Sequence, residues 1–194
     1  MVNVLLSFLI VATMQNLVLT AGFDASIAVK MTKHPRRLAR FSLALLGFTV
    51  CTAAAFYPID QLLPESWVYN LLRPVIVVGI TAVLYVIATV ILGLFPAADR
   101  RMRHLLPLTA FNNMVVGVSL LLNLQVSVSF FETIAIAAGA ALGFLLVSAI
   151  TAEAAERMDN PDMPSSFRGL PGTLVYLGLL ALALMGFSPV LNLT

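Results

Sequence analysis

Two pairs of carboxamides stand where polar chemistry is expensive. Gln15 and Asn16 lie inside a long apolar run over residues 4–24, and Asn112 and Asn113 lie inside another over 106–124, after Pro107 and Thr109. Amides in hydrocarbon must find partners, so these side chains are expected to face the protein interior and not lipid. They serve there either as interhelical hydrogen bonds, worth about 0.6–2 kcal/mol, or as the polar lining of locally broken helices. Asp24 is the one carboxylate close to the body of a span. It suits a cation or proton on an ion path, or equally an interfacial carboxylate held by Lys30. Cys51, the sole cysteine, sits among Thr49, Thr52 and Ala53 and reads as a small buried thiol in helix packing. One thiol excludes a disulfide framework and a four-thiolate metal site built by this chain alone. His34 and His104 each lie beside arginines with no second ligand at helical spacing, which favours contact with lipid headgroups. No phosphate-binding loop, nucleophile elbow or zinc motif is present.

The elements that must position these groups follow from composition. Of 194 residues, 60% are hydrophobic and 10% charged, with a mean hydropathy of +1.00. Soluble domains carry roughly 25% charged residues, so the chain lacks the polar surface to cover a globule in water. It reads as an all-α integral membrane protein, a single membrane domain over 1–194. Apolar runs bounded by charge predict six transmembrane helices, at about 4–24, 41–57, 72–95, 106–124, 133–152 and 171–191. The first is not read as a cleavable signal, since no basic residue precedes its apolar run. Lys30, Lys33, Arg36, Arg37 and Arg40 fill the first connector, Arg100, Arg101 and Arg103 the third, and Arg157 and Arg168 the fifth. The second connector offers Asp60 and Glu65, with Arg73 at the mouth of the next span, and the fourth has Glu132 alone. Odd connectors are therefore cytoplasmic and both termini lie outside. Trp67, Tyr57 and Tyr69 fall near the outer interface, where amphipathic rings are enriched. Topology already explains the basic connectors, which lack interleaved aromatics, so no nucleic-acid partner is expected. Asn160-Pro161-Asp162-Met163-Pro164 reads as a helix stop followed by a loop.

The chain also lays on itself at an offset of about 97 residues. Met14-Gln15-Asn16-Leu17-Val18 meets Phe111-Asn112-Asn113-Met114-Val115, Leu46-Gly47-Phe48 meets Leu142-Gly143-Phe144, and Pro74 meets Pro171. With three spans per half, 1–97 and 98–194, the second half must enter the membrane from the opposite side. The expectation is two inverted three-helix repeats, with the first and fourth helices broken near the midplane. Gly139 and Gly143 add a small-residue face for close helix contact, within the chain or with a partner.

Leu106-Pro107-Leu108 running into Asn112-Asn113-Met114-Val115-Val116-Gly117-Val118, then Pro164 with Phe167-Arg168-Gly169, and the ending Met185-Gly186-Phe187-Ser188 resemble a known family. This is the Rnf/Nqr membrane subunit family: the A and E subunits of the Rnf complex, and the D and E subunits of the sodium-translocating NADH:quinone oxidoreductase. Gln15-Asn16-Leu17-Val18-Leu19 is similar to the paired-amide segment of the family's first helix. The resemblance covers almost the whole chain. It implies two such subunits in opposite orientations holding one [2Fe-2S] cluster, each supplying one cysteine from each broken helix. That cluster passes electrons between flavin-bearing partners while sodium ions or protons move. Here the cysteine positions fall at or next to Ser26 and at Asn113, and neither side chain is the soft thiolate such clusters use. The expectation is a membrane subunit of an Rnf/Nqr-like ion-translocating electron-transport complex, without its own [2Fe-2S] ligands, acting as scaffold or ion-path element. It is at most a non-catalytic subunit, and its expected partners are a second copy of itself, a homologous membrane subunit or flavin-bearing redox subunits. The alternative is a stand-alone homo-oligomeric transporter or channel-like protein, with Gln15, Asn16, Asp24, Asn112 and Asn113 lining a polar path.

Overall fold

The computed structural model describes residues 2–13, 15–31, 35–63, 66–94, 100–122, 129–158, 164 and 166–186. Among these every regular element is a helix: α1 Val2–Thr13, α2 Leu17–Thr20, α3 Ala25–Met31, α4 Pro35–Leu62, α5 Trp67–Leu94, α6 Arg100–Ala110, α7 Asn113–Leu122, α8 Phe130–Met158 and α9 Leu170–Met185. Four stretches are long and apolar enough to cross a bilayer: Arg36–Leu62, Trp67–Leu94, Arg103–Leu122 and Phe130–Met158. Val4–Thr13 and Leu170–Met185 are shorter apolar helices. Thus the first expected span is not one helix but three short ones, and the fourth is α6 followed by α7. Lys33, His34, the Asn160–Met163 helix stop and the Phe187-Ser188 ending lie outside the described residues.

Helices α4 and α8 form the centre. Phe41 meets Phe144 and Tyr57 meets Phe130, each with ring centroids 5.5 Å apart, so numbering rises on one helix as it falls on the other and the pair is antiparallel. Around them α1, α2, α3 and α9 pack on α8, α7 and α6 pack on α4, and α5 joins α4 to α6 and α7. The small-residue face of α8 is used within the chain. At Gly139 the backbone oxygen of Phe8 approaches to 2.7 Å of where a Cβ would stand, and at Gly143 the Ala12 oxygen approaches to 3.0 Å. Without side chains there, α1 comes close enough for backbone packing.

The polarity of the molecule is inside out. Leu5, Leu9, Val75, Val83, Ile87, Leu179 and Leu182 are exposed, while Asn16, Asp24, Thr49, Thr81, Thr109, Asn112 and Thr151 are buried. Buried threonine hydroxyls donate to the carbonyl one turn back, as Thr49 does to Leu45 (2.7 Å), Thr81 to Val77 (2.8 Å) and Thr151 to Val147 (2.6 Å). Such bonds satisfy polar groups without water, as a helix in lipid requires.

Two sequence expectations change. Cys51 is exposed on α4, because the buried stripe of that helix runs through Thr49, Thr52 and Ala53 and leaves residue 51 on the opposite side. Asp60 belongs to a helix, not to a connector. Tyr69 is buried, and its hydroxyl donates to Asp60 Oδ1 at 2.6 Å, with Arg73 of α5 beside them. Asp60 and Arg73 form an ion pair at 2.9 Å (Nη2) and 3.1 Å (Nε), with the guanidinium carbon 5.1 Å from the Tyr69 ring centroid. Trp67 remains exposed and Tyr57 half-buried.

Candidate functional site

The two helix breaks are built alike. After α1 the chain loosens: the Gln15 N–H reaches back five residues to the Ile10 carbonyl at 2.8 Å. Asn16 then takes an extended backbone (φ −62°, ψ 115°) and caps α2, its Oδ1 accepting the Val18 N–H at 3.0 Å. Its Nδ2 donates to the Ala12 carbonyl at 3.1 Å. One buried amide thus satisfies an N–H of the helix that starts and a carbonyl of the helix that ends, groups a break otherwise strands. After α6 the same role falls to Asn112, whose Oδ1 accepts the Met114 N–H at 2.8 Å. Asn16 and Asn112 thus share a capping role, whereas the self-alignment of the sequence sets Asn16 beside Asn113.

Asp24 closes the turn between α2 and α3. It is the one described non-glycine residue with positive φ (57°), and Gly22 precedes it at φ 71°. Its carbonyl accepts the Ile27 and Ala28 N–H groups, both at 2.9 Å, and so starts α3. Its side chain, 8% exposed, faces the Asn112 amide and the Met114 N–H. Beside it the Phe23 ring lies directly on Gly117, where any Cβ would collide with it. The turn is thereby seated on α7. Two polar atoms remain without a hydrogen bond here, Asp24 Oδ2 and Asn112 Nδ2. Ser42 Oγ, Thr52 Oγ1 and Ser148 Oγ on α4 and α8 are likewise buried and unpartnered, and each is a place for an ordered water.

Of the five path candidates, then, Asn16, Asp24 and Asn112 are buried, and Asp24 meets Asn112. Asn16 lies against α8, with Nδ2 2.6 Å from where a Gly143 Cβ would stand. Gln15 and Asn113 are exposed, against the expectation that all four amides face inward. Successive helical residues point about 100° apart, so when one amide of an adjacent pair turns into the bundle as the cap, its neighbour cannot follow. Ser26 is exposed too. The Asp60–Tyr69–Arg73 cluster and the seat of Phe23 on Gly117 are not among the sequence expectations, although Gly117 stands one turn beyond Asn113. A cleft of about 540 Å³ at the far end of α8, lined by Ala149, Ile150, Glu153, Arg157 and Tyr176 among others, contains none of the candidates. Among the described residues no group of three His, Cys, Asp or Glu side chains converges as a metal site would.

Comparison with known proteins agrees over nearly the full length. The family model described as Rnf-Nqr subunit, membrane protein, matches residues 4–191. The chain is 30% identical over 178 residues to the A subunit of the ion-translocating oxidoreductase complex of Aromatoleum aromaticum, covering 91% of this chain and 92% of that one. It is 28% identical over 189 residues to the protein of the same name from Histophilus somni, covering 97% of each. It is also 36% identical over 109 residues, 56% of each chain, to the A subunit of the Na(+)-translocating ferredoxin:NAD(+) oxidoreductase complex of Acetobacterium woodii.

Proposed function

The chain belongs to the Rnf-Nqr family of membrane subunits, and from that premise we propose that it is a multi-pass subunit of an ion-translocating electron-transport complex, acting as scaffold or ion-path element without ligating a cluster itself. The observation that carries this reading is the pair of helix breaks, capped alike by Asn16 and Asn112 and lined by buried amide and carboxylate. Broken helices inside a membrane bundle are the usual setting for ion sites. The matching caps support two inverted repeats, and so does the packing, since α1 lies on the long helix of the second half and α7 on that of the first. In this reading α1 to α3 make one span and α6 with α7 another, which gives six crossings with both termini outside the inner membrane.

The donor set bears on the family's iron-sulfur cluster. By resemblance its cysteine positions fall at or next to Ser26 and at Asn113, a hydroxyl and an amide, and the one thiol, Cys51, is on α4. These residues do not fit a [2Fe-2S] group, which calls for thiolates, so no electron-transfer step is assigned to this chain. Gln15, Ser26 and Asn113 are exposed beside non-helical backbone, a combination that lipid does not tolerate. In this reading a second membrane subunit covers them, either a homologue inserted in the opposite orientation or another copy of this chain.

The test is purification of the tagged chain from its native membrane in mild detergent, together with deletion of its gene. Co-purifying flavin-bearing and homologous membrane subunits, with loss of ion-coupled electron transfer on deletion, are the expected results. A chain that purifies alone and whose deletion changes nothing refutes the proposal and leaves the solitary transporter. A stoichiometric [2Fe-2S] signal assigned to this chain by electron paramagnetic resonance overturns the ligand argument.

A further inference from the structure

We propose that the N-terminal end of α7 is an internal anion site and that its resident anion is the Asp24 carboxylate, which ties the first half of the chain to the second. Helix α7 has ten residues, and the Asp24 side chain lies at the positive end of its dipole, by the Met114 N–H. A second observation marks the same place as a site: Asn112 is 3% exposed and its Nδ2, a donor, has no partner, while the facing acceptor Asp24 Oδ2 has none either. The ion pairs among the described side chains do not include Asp24, and the Lys30 side chain lies outside the described residues. A buried carboxylate needs donors to hold its charge; the Met114 N–H it faces is already bonded to Asn112 Oδ1, and Asn112 Nδ2 is the donor still open. One bridging water or a small approach of the turn satisfies both open atoms. The backbone points the same way. Asp24 holds a left-handed φ that glycine adopts freely and aspartate only at some cost, so the residue is kept there for its side chain. The seat of Phe23 on Gly117 holds the turn at the distance the carboxylate must span.

The site adjoins Asn113, and Ser26 lies two residues beyond Asp24. On the proposed reading of those two positions, an organic carboxylate of the chain itself bridges α3 and α7 where the family's thiolates hold a cluster. This second clause rests on that reading; the anion site does not.

The experiment is Asp24→Gly in the full chain, purified in detergent and followed by thermal unfolding. Glycine relieves the backbone, so a carboxylate of no importance predicts unchanged or higher stability. The anion site predicts a fall in Tm of about 5 °C, recovered by millimolar sodium formate and not by sodium gluconate at equal ionic strength, with no formate effect on the wild type. Asp24→Asn, which keeps the shape but not the charge, is expected to fall in Tm and, with the site still filled, to ignore formate; it serves alone if the glycine variant does not fold. An undiminished Tm in either variant, or a loss in Asp24→Gly that formate leaves unrepaired, overturns the proposal. Formate rescue in a chain later found to carry a cluster keeps the anion site and refutes only its relation to the missing thiolates.

Discussion

Gly143→Ala is the sharpest perturbation available at the first break, because its counterpart in the other half provides the control. A Cβ at 143 would stand 2.6 Å from Asn16 Nδ2 and 3.0 Å from the Ala12 carbonyl oxygen, against 3.4–4 Å for ordinary contact. Either α1 recedes from α8 or the Asn16 amide swings away and gives up its bonds to Val18 and Ala12. Overfilling a packed contact costs about 1–3 kcal/mol, and disturbing the cap adds about 1 kcal/mol. Replacing a helical glycine by alanine returns about 1 kcal/mol. The net expectation is a loss of about 2 kcal/mol. At Gly47, which matches Gly143 in the internal alignment, a Cβ meets nothing within 4 Å, so Gly47→Ala keeps only the propensity gain of up to about 1 kcal/mol. Unfolding in mixed micelles, followed by helicity as sodium dodecyl sulfate is titrated in, should separate the two variants by about 3 kcal/mol, the sum of these effects. A Gly143→Ala protein as stable as Gly47→Ala refutes the close α1 to α8 packing and the placement of Asn16 with it.

Other outcomes follow from the same contacts. Asp60→Ala removes the acceptor of Tyr69 and Arg73 and leaves the part-buried guanidinium without its counter-charge, so the same titration should register a loss of about 1–3 kcal/mol. Glu153→Ala breaks a pair whose side chains are 66% and 77% exposed, and should change stability by less than about 0.5 kcal/mol. Asn16→Ala and Asn112→Ala each remove a helix cap and should cost about 1 kcal/mol. The loss is greater at Asn16, whose Nδ2 also holds the Ala12 carbonyl, than at Asn112, whose Nδ2 is unbonded. Equal losses in circular-dichroism melts would count against that difference.

Much of this is legible in the residues alone. Hydrocarbon is a simple solvent, so apolar runs locate the long helices, and amides placed mid-run locate the interruptions. What sequence leaves open is which amide of each pair turns inward. Gln15 and Asn16, like Asn112 and Asn113, differ too little in chemistry for spacing to choose, and only the bond from Oδ1 to the N–H two residues on settles it. Asp24 is ambiguous for a related reason: a carboxylate at the end of a span is as compatible with a nearby lysine as with a distant helix terminus. The structure sets it against Asn112 and the start of α7, in the second half of the chain. Cys51 is misread from sequence because neighbours along the chain are not neighbours on a helix face; Thr52 and Ala53 are buried while residue 51 looks outward.

A break inside a membrane bundle strands N–H and carbonyl groups that have no water to turn to, so whatever causes the break must also repair it. At the first break the repair is complete within the segment, since Asn16 bonds both sides of the gap and Gly143 leaves it room. The second is incomplete: Asn112 caps α7 with its oxygen but finds no acceptor for its nitrogen. In the proposed two-repeat arrangement the two breaks are equivalent in backbone and unequal in satisfaction, and the unequal one is where Asp24 arrives. Asymmetry of this kind gives a function to one half that the other lacks. A buried carboxylate and an unspent donor lie close together, and a water or a displaced helix end changes their balance far more than it would at the fully bonded Asn16. On that ground any ion coupling by this chain is expected where the Asp24 turn meets α7, and substitutions there should alter transport before substitutions at Asn16 do.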